Sequence, residues 1–188
     1  MISSEKLLFN YRHLIAVDLT SYGSALALIN QFSDDDGIKV FEISPLGSGA
    51  LLILMAKEVT AAAILKNQIQ SQMNPSVLNL CLIEKAHENL LKTYLSQTTS
   101  KVAKSMLIIE SSFVSEALGI ANKLLHDTIE LLDLRVVRTF PSNSIITATH
   151  DSSEKLLLAG QANQTAKFTL ITDVHPVLKN YFEVLQPN

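Results

Sequence analysis

The chain has 188 residues, of which 47% are hydrophobic and 18% charged, and its formal net charge is -3 at pH 7. That charge and the absence of any Lys or Arg cluster argue against a nucleic-acid partner, which would require a concentrated basic surface to neutralise phosphates. Neither a membrane-spanning helix of roughly 20 apolar residues nor a secretory signal is evident, so we expect a cytoplasmic protein without membrane contact.

The chain contains an internal repeat. Residues 15–26 recur in the same order of residue types at residues 107–118, and the offset is 92 positions, from Asp18 to Glu110. Each copy begins as an apolar strand that ends in an acidic residue, followed by a short polar break and the start of a helix. A repeat that fills the chain predicts two units that fold and pack in the same way.

The first predicted helix has an apolar stripe in both copies. Its positions follow the spacing i, i+3, i+4 and i+7 of a helix with one buried face. The stripe consists of Ala25, Leu28, Ile29 and Phe32 in the first copy and of Ala117, Ile120, Ala121 and Leu124 in the second.

The remaining elements also occur twice. A β-hairpin comes next, with its second strand predicted at residues 50–56 and 145–148. A helix, a last strand and a short tail helix follow, at about 58–70, 77–83 and 89–95 in the first copy and at about 152–161, 167–171 and 177–185 in the second. The order βαββαβ predicts an α+β fold, a tandem duplication of a ferredoxin-like domain with an antiparallel sheet and helices on one face.

Two domains of roughly 90 residues each are therefore expected, residues 1–98 and residues 99–188. The boundary is placed in the polar run at residues 96–101, which has no helical or strand periodicity. Because the hydrophobic content is high for a chain of this size, we also expect an oligomer in which partner subunits cover part of the surface.

The residues capable of acid–base or nucleophilic chemistry form no recognisable catalytic set. Asp18 and Glu110 hold equivalent places in separate copies, so a role at a helix start is favoured over a shared catalytic cleft. Cys81 lies within a predicted strand and is interpreted as a buried structural thiol. The Ser pairs at 111–112 and 152–153 lack the glycine frame of a nucleophile elbow. We expect no enzymatic activity.

Metal binding is not predicted either. The acidic run at residues 34–36 lacks the alternating ligand spacing of a calcium loop and is interpreted as a solvated turn. No two histidines stand at a metal-ligand spacing. The five are scattered along the chain, and the symmetric pair His87 and His175, each of which follows a strand, is predicted to serve in packing or at a subunit interface.

The chain resembles the bacterial microcompartment shell proteins, specifically their tandem-domain, trimer-forming class. The resemblance rests on the acidic end of the first strand, the Ala-rich first helix, the turn at residues 45–49 before an apolar strand, and the histidine before a short helix, all in the same order. It implies a structural tile, in which three chains form a pseudohexameric ring. Such a homotrimer would lie beside other shell proteins in the shell that encloses metabolic enzymes.

The resemblance also implies a central pore lined by the turn after the second strand of each copy. In this chain the turn residues are Gly47, Ser48, Gly49, Pro141, Ser142 and Asn143. Glycine N–H groups and small neutral side chains suit the passage of small polar or anionic metabolites. An ordinary hairpin turn is the alternative interpretation. Some members of the family hold an iron–sulfur cluster through a cysteine in this loop, but the loop has no cysteine here, so no cofactor is expected.

Two departures from the family pattern concern contacts between tiles. Asp34 and His126 stand where the family usually has an edge lysine, and the family's Pro-Arg-Pro-His run is degraded at residues 84–87 and 172–175. We therefore expect weak or absent sheet formation by this protein alone. Two other functions stay open on the sequence, namely a ferredoxin-like regulatory protein that binds a small molecule and a metabolic enzyme.

Overall fold

The computed structural model describes residues 10–31, 37–47, 49–98, 100–138 and 143–184. Within these residues the first copy of the repeat contributes β1 (His13–Leu19), α1 (Tyr22–Ile29), β2 (Ile38–Leu46), β3 (Gly49–Ala56), α2 (Val59–Gln72), β4 (Val77–Ile83) and α3 (Glu88–Tyr94). The second copy contributes β5 (Ser105–Ser111), α4 (Val114–His126), β6 (Glu130–Val137), β7 (Asn143–His150), α5 (Ser153–Gln161), β8 (Lys167–Ile171) and α6 (Pro176–Val184). Strand β5 and helix α4 begin 92 positions after β1 and α1, as the repeat predicts.

The first sheet has the strand order β2-β3-β1-β4, and all of its neighbouring strands are antiparallel. Alternate residues of β1, namely Ile15, Val17 and Leu19, pack with α1 and α2 in one hydrophobic core. Because side chains alternate across a strand, the residues between them point to the other face of the sheet. Both helices that connect these strands therefore lie on one face, as predicted.

The second sheet repeats this topology with the strand order β6-β7-β5-β8. Its central strand β5 pairs antiparallel with both β7 and β8. A small cluster of buried residues (Val102, Met106, Leu132 and Val174) is joined by Leu178 and Phe182 of α6. Two sheets of the same strand order confirm the α+β ferredoxin-like fold class, and none of the described helices has the length and apolar character needed to span a membrane.

The chain forms two compact units that do not follow the sequence continuously. The first unit takes the described residues of Met1–Ala86, Phe113–Gly119 and Val137–Ser142. The second takes those of His87–Ser112, Ile120–Val136 and Asn143–Asn188. The first turns of α4 thus belong to the compact unit that contains the first sheet, while the division into domains after residue 98 stays a prediction.

Candidate functional site

The predicted pore turn of the first copy is the tight connection between β2 and β3. Leu46 and Gly49 form the last pair of the two strands. Gly47 has a φ of 53°, in the left-handed region that glycine enters at little cost. Gly49 packs directly under the main chain of β1, where a Cβ atom would collide with the carbonyl oxygen of Leu19. The backbone of this turn requires both glycines, whereas Ser48 lies outside the described residues.

Arg138, which follows β6 and precedes the second predicted turn, lies beside the first turn. The Gly47 N–H donates a hydrogen bond to the carbonyl oxygen of Arg138 at 2.9 Å, and both residues belong to the first unit. Of the remaining predicted pore residues, Asn143 begins β7 in the second unit, and Pro141 and Ser142 lie outside the described residues. The structure therefore places Gly47 in contact with Arg138, the last described residue before the second predicted turn.

A polar cluster surrounds this hydrogen bond. The Arg138 guanidinium donates to Glu42 Oε1 at 2.9 Å and to the hydroxyl of Ser44, and that hydroxyl donates to Glu42 at 2.7 Å. The carboxylate is mostly buried, while the guanidinium is about half exposed. Opposite charges at this distance offset one another, so the cluster presents hydrogen-bonding groups beside Gly47 with little net charge. Sequence reasoning missed these three residues.

Asp18 is a buried carboxylate, with 4% of its surface exposed. Its two oxygens accept hydrogen bonds from the backbone N–H groups of Val114 at 3.2 Å and Ser115 at 2.9 Å, at the start of α4 in the first unit. Burial raises the pKa of Asp18 above its ordinary value, and the hydrogen bonds from Ser115 and Val114 oppose this rise. The carboxylate therefore caps the start of α4.

The structure confirms a helix-start role for Asp18, but at α4 and not at α1, the helix that follows Asp18 in the chain. The start of α4, which Glu110 precedes, is thus capped by Asp18. Helix α1 is capped by Ser21, whose hydroxyl accepts from the Ser24 N–H at 3.1 Å. Asp18 points away from α1, because its neighbours Val17 and Leu19 occupy the face that carries α1. Glu110 is exposed in the isolated chain.

The symmetric histidines stand at helix starts. His87 Nδ1 accepts from the Asn89 N–H at 3.2 Å, and His175 Nδ1 accepts from the Val177 N–H at 3.3 Å. An acceptor Nδ1 places the proton of each neutral ring on Nε2. This local role fits the packing interpretation of the pair, and a role at a subunit interface stays a prediction.

His126, one of the two predicted edge positions, ends α4 and contacts His87 ring to ring, with the centroids 5.4 Å apart. Burial lowers the pKa of His87, and the neighbouring His126 lowers it further. The other edge position, Asp34, lies outside the described residues. Among the residues that the structure describes, no group of three or more His, Cys, Asp or Glu side chains is arranged to hold a metal ion.

The single cysteine is a packing residue in the structure. Cys81 Sγ occupies the space beside Gly119 of α4, where an added Cβ would come within 2.7 Å of the sulfur. Burial raises the pKa of this thiol, and Glu116 adds to the rise while Lys66 opposes it. A raised pKa reduces the reactive thiolate at neutral pH, which is consistent with a structural thiol, although Cys81 is half-buried and not fully buried as predicted.

Comparisons with known proteins identify the fold. No family model matches the sequence, and no curated protein matches it. The structure is similar to that of a microcompartment protein from Desulfitobacterium hafniense DCB, with a TM-score of 0.72 and 16% sequence identity over 90% of this chain and 99% of the other. The fold is therefore that of a microcompartment protein along nearly the whole chain.

A second similarity, to a protein assigned as a glycine cleavage system transcriptional repressor, is weak. The TM-score is 0.31 and the sequence identity 12%, over 86% of this chain and 98% of the other. A similarity at this level carries no argument about fold or function, so it does not favour the regulatory alternative.

Proposed function

We propose that this chain is a structural shell protein of a bacterial microcompartment and that it carries out no reaction of its own. The observation that carries the proposal is the similarity of its fold to a microcompartment protein over 90% of the chain. The two sheets of equal strand order agree with it, because a shell tile of the tandem class contains two such modules. The proposed location is the shell, in the cytoplasm, with other shell proteins as neighbours.

The proposed assembly is a homotrimer with pseudo-sixfold symmetry. Two equivalent modules per chain turn a six-membered ring into three identical chains, and such a ring closes through heterologous contacts. Tyr22 and Leu26 lie one turn apart on α1 and are 43% and 47% exposed on the isolated chain. This exposed apolar pair supports association, since neighbouring apolar side chains on a protein surface mark contact sites.

The proposed pore is lined by Gly47, Ser48, Gly49, Pro141, Ser142 and Asn143. The hydrogen bond from Gly47 to Arg138 supports this arrangement, because it holds the approach to the second turn beside the first turn. The pairing of Arg138 with Glu42 leaves small neutral groups at the turn. We infer that the pore passes small polar metabolites and holds no cofactor.

The mass in solution and entry into shells test the proposal. Three chains of 20.6 kDa predict about 62 kDa, and co-expression with shell proteins of a microcompartment predicts that the chain purifies within closed shells. Light scattering after gel filtration measures the mass of the oligomer. Electron microscopy shows whether closed shells form, and gel electrophoresis of the purified shells measures how much of this chain they contain. A mass of a single chain, or closed shells that exclude the co-expressed chain, would contradict the proposal.

Metabolite passage tests the pore. Ser48→Trp is expected to slow the entry of substrate into shells that contain an encapsulated reporter enzyme, because the indole narrows the axis three times over in a trimer. Ser71→Trp, at an exposed position on α2, is the matched control and is expected to leave the flux unchanged. Equal flux through shells of both variants would refute the placement of this turn at the axis.

A further inference from the structure

One contact in the first unit occurs at a position that the repeat duplicates. The start of α4 lies on the face of the first sheet that bears Asp18, whose carboxylate holds the N–H groups of Val114 and Ser115. Both residues and Leu118, one turn further on, are buried, with 1% or less of their surface exposed. Gly119 brings the helix backbone close to Cys81 in the strand beside β1. The contact joins a helix start of the second copy to a sheet of the first.

Within the part of the chain that the structure describes, the equivalent helix start in the first copy makes no such contact. With the offset of 92, Tyr22 and Leu26 of α1 correspond to Val114 and Leu118, but 43% and 47% of their surfaces are exposed. Ser21 accepts from the Ser24 N–H, which leaves the N–H groups of Tyr22 and Gly23 without a partner among the residues that the structure describes. This surface of α1 has the same kind of groups as the docked surface of α4.

The equivalent part of the sheet face in the second copy, around Glu110, is accessible in the isolated chain. Glu110 corresponds to Asp18 and is exposed, whereas Asp18 is buried. The strand pair of Ala16 and Cys81 corresponds to Ile108 and Thr169, and Thr169 is exposed. The second copy therefore presents an exposed acidic residue at the equivalent strand position, and its described neighbours on this part of the face, Ile108 and Thr169, are half-buried and exposed, respectively.

We propose that α1 of one chain docks on the β5–β8 face of a second copy of this chain. Glu110 accepts hydrogen bonds from the N–H groups of Tyr22 and Gly23, and Leu26 takes the buried place that Leu118 has within the chain. The contact is heterologous, so each chain offers both halves of it and copies join head to tail. It rests on the proposed function, because it supplies the contact by which the ring of chains closes.

The sequence differences between the two contacts compensate one another. Ala27 stands where α4 has Gly119, and the added methyl group requires the helix to lie somewhat further from the strand. Glu110 is one methylene longer than Asp18, so its carboxylate reaches a helix start at that greater distance. A charged acceptor at the first turn of a helix is also favoured by the helix dipole.

Site-directed crosslinking tests this contact. Chains with Gly23→Cys co-expressed with chains carrying Glu110→Cys are expected to give covalent dimers with a short bismaleimide, and the double variant is expected to give covalent trimers of about 62 kDa, three times 20.6 kDa. Chains with Gly23→Cys co-expressed with chains carrying Asp151→Cys are the matched control and are expected to give no covalent dimers above background, because residue 151 is exposed but lies at the end of the second sheet away from Glu110. The wild type reports the background from Cys81.

Each single variant by itself is expected to give no covalent dimer, because the contact sets residue 23 against residue 110. Crosslinking of either single variant to itself would overturn the head-to-tail arrangement. A protein of about 62 kDa that gives no crosslink in the double variant would overturn this contact and leave the proposed shell function intact. Crosslinked trimers that never enter shells would confirm this contact and overturn the proposed shell function.

Substitution of the exposed leucine gives a second measurement. Leu26→Asp places a carboxylate in the apolar part of the contact and beside Glu110, and is expected to reduce the mass from that of the oligomer to 20.6 kDa. Leu158→Asp changes another exposed leucine, on α5 and outside the proposed contact, and is the matched control. It is expected to leave the mass unchanged. An unaltered mass for Leu26→Asp would overturn the contact.

Discussion

Replacing Gly49 by alanine is expected to destabilise the protein by about 3 kcal/mol, at the upper end of the usual cost of overpacking. The added Cβ would collide with the carbonyl oxygen of Leu19, at the end of the inner strand β1, and a backbone atom held between two strands cannot rotate away as a side chain would. Relief requires β1 and β3 to separate where Gly49 adjoins the first predicted pore turn. The loss is therefore expected to appear both in the free energy of unfolding and in the conformation of the turn.

Urea unfolding followed by circular dichroism measures this effect. Gly23→Ala is the matched control, because a Cβ at that helix position meets only the Ser21 hydroxyl, at 3.9 Å. Alanine in place of glycine in a helix is expected to be neutral or to stabilise by up to about 1 kcal/mol. A stability for Gly49→Ala within 1 kcal/mol of the wild type would show that the strands can separate at little cost.

Removal of the Asp18 carboxylate is expected to cost about 2–4 kcal/mol in the Asp18→Ala variant, because two buried N–H groups lose their acceptor. Asp18→Asn retains one acceptor oxygen and no charge, so its loss is expected to be smaller. Asp151→Ala is the control, since that exposed carboxylate accepts from only one backbone N–H, that of Lys104. Its removal is expected to lower the free energy of unfolding by about 0.5–1 kcal/mol. All variants are compared at one protein concentration, because association contributes to the stability of an oligomer.

The pH dependence of the same variants tests the charge. The folded pKa of Asp18 is raised, so the folded protein binds more protons than the unfolded chain between the ordinary pKa near 3.8 and the folded pKa. The stability of the wild type relative to Asp18→Asn is therefore expected to be greatest below that range, to fall as the pH rises through the folded pKa, and then to level off. A difference that rises with pH would mean that the hydrogen bonds outweigh burial.

Local patterns in the sequence predicted the elements well. Strands β4 and β8 lie at the predicted residues 77–83 and 167–171, because short apolar runs bounded by polar turns leave little choice of register. Helix α2 ends two residues beyond its predicted end, where Gln and Ser side chains give no stop signal. The histidine caps were also open to prediction, since each ring accepts from an N–H only two residues further on.

The contacts that define the candidate site could not be predicted in this way. The partners of Asp18 lie 96 and 97 residues further along the chain, and Arg138 lies 96 residues from Glu42. Nothing in the residues around Asp18 distinguishes a cap for α1 from a cap for α4, because both helices begin with free N–H groups. The choice depends on which face of the sheet each helix covers, which is a property of the packed chain.

The close packing of Gly119 against Cys81 makes the only thiol of the chain a natural reporter of local opening. Cys81 is half-buried and α4 covers part of its surface, so the rate at which a thiol reagent modifies it in the native protein is expected to rise when the start of α4 moves away from β4. A ligand or partner that holds the start of α4 against β4 would slow the modification without contacting the cysteine.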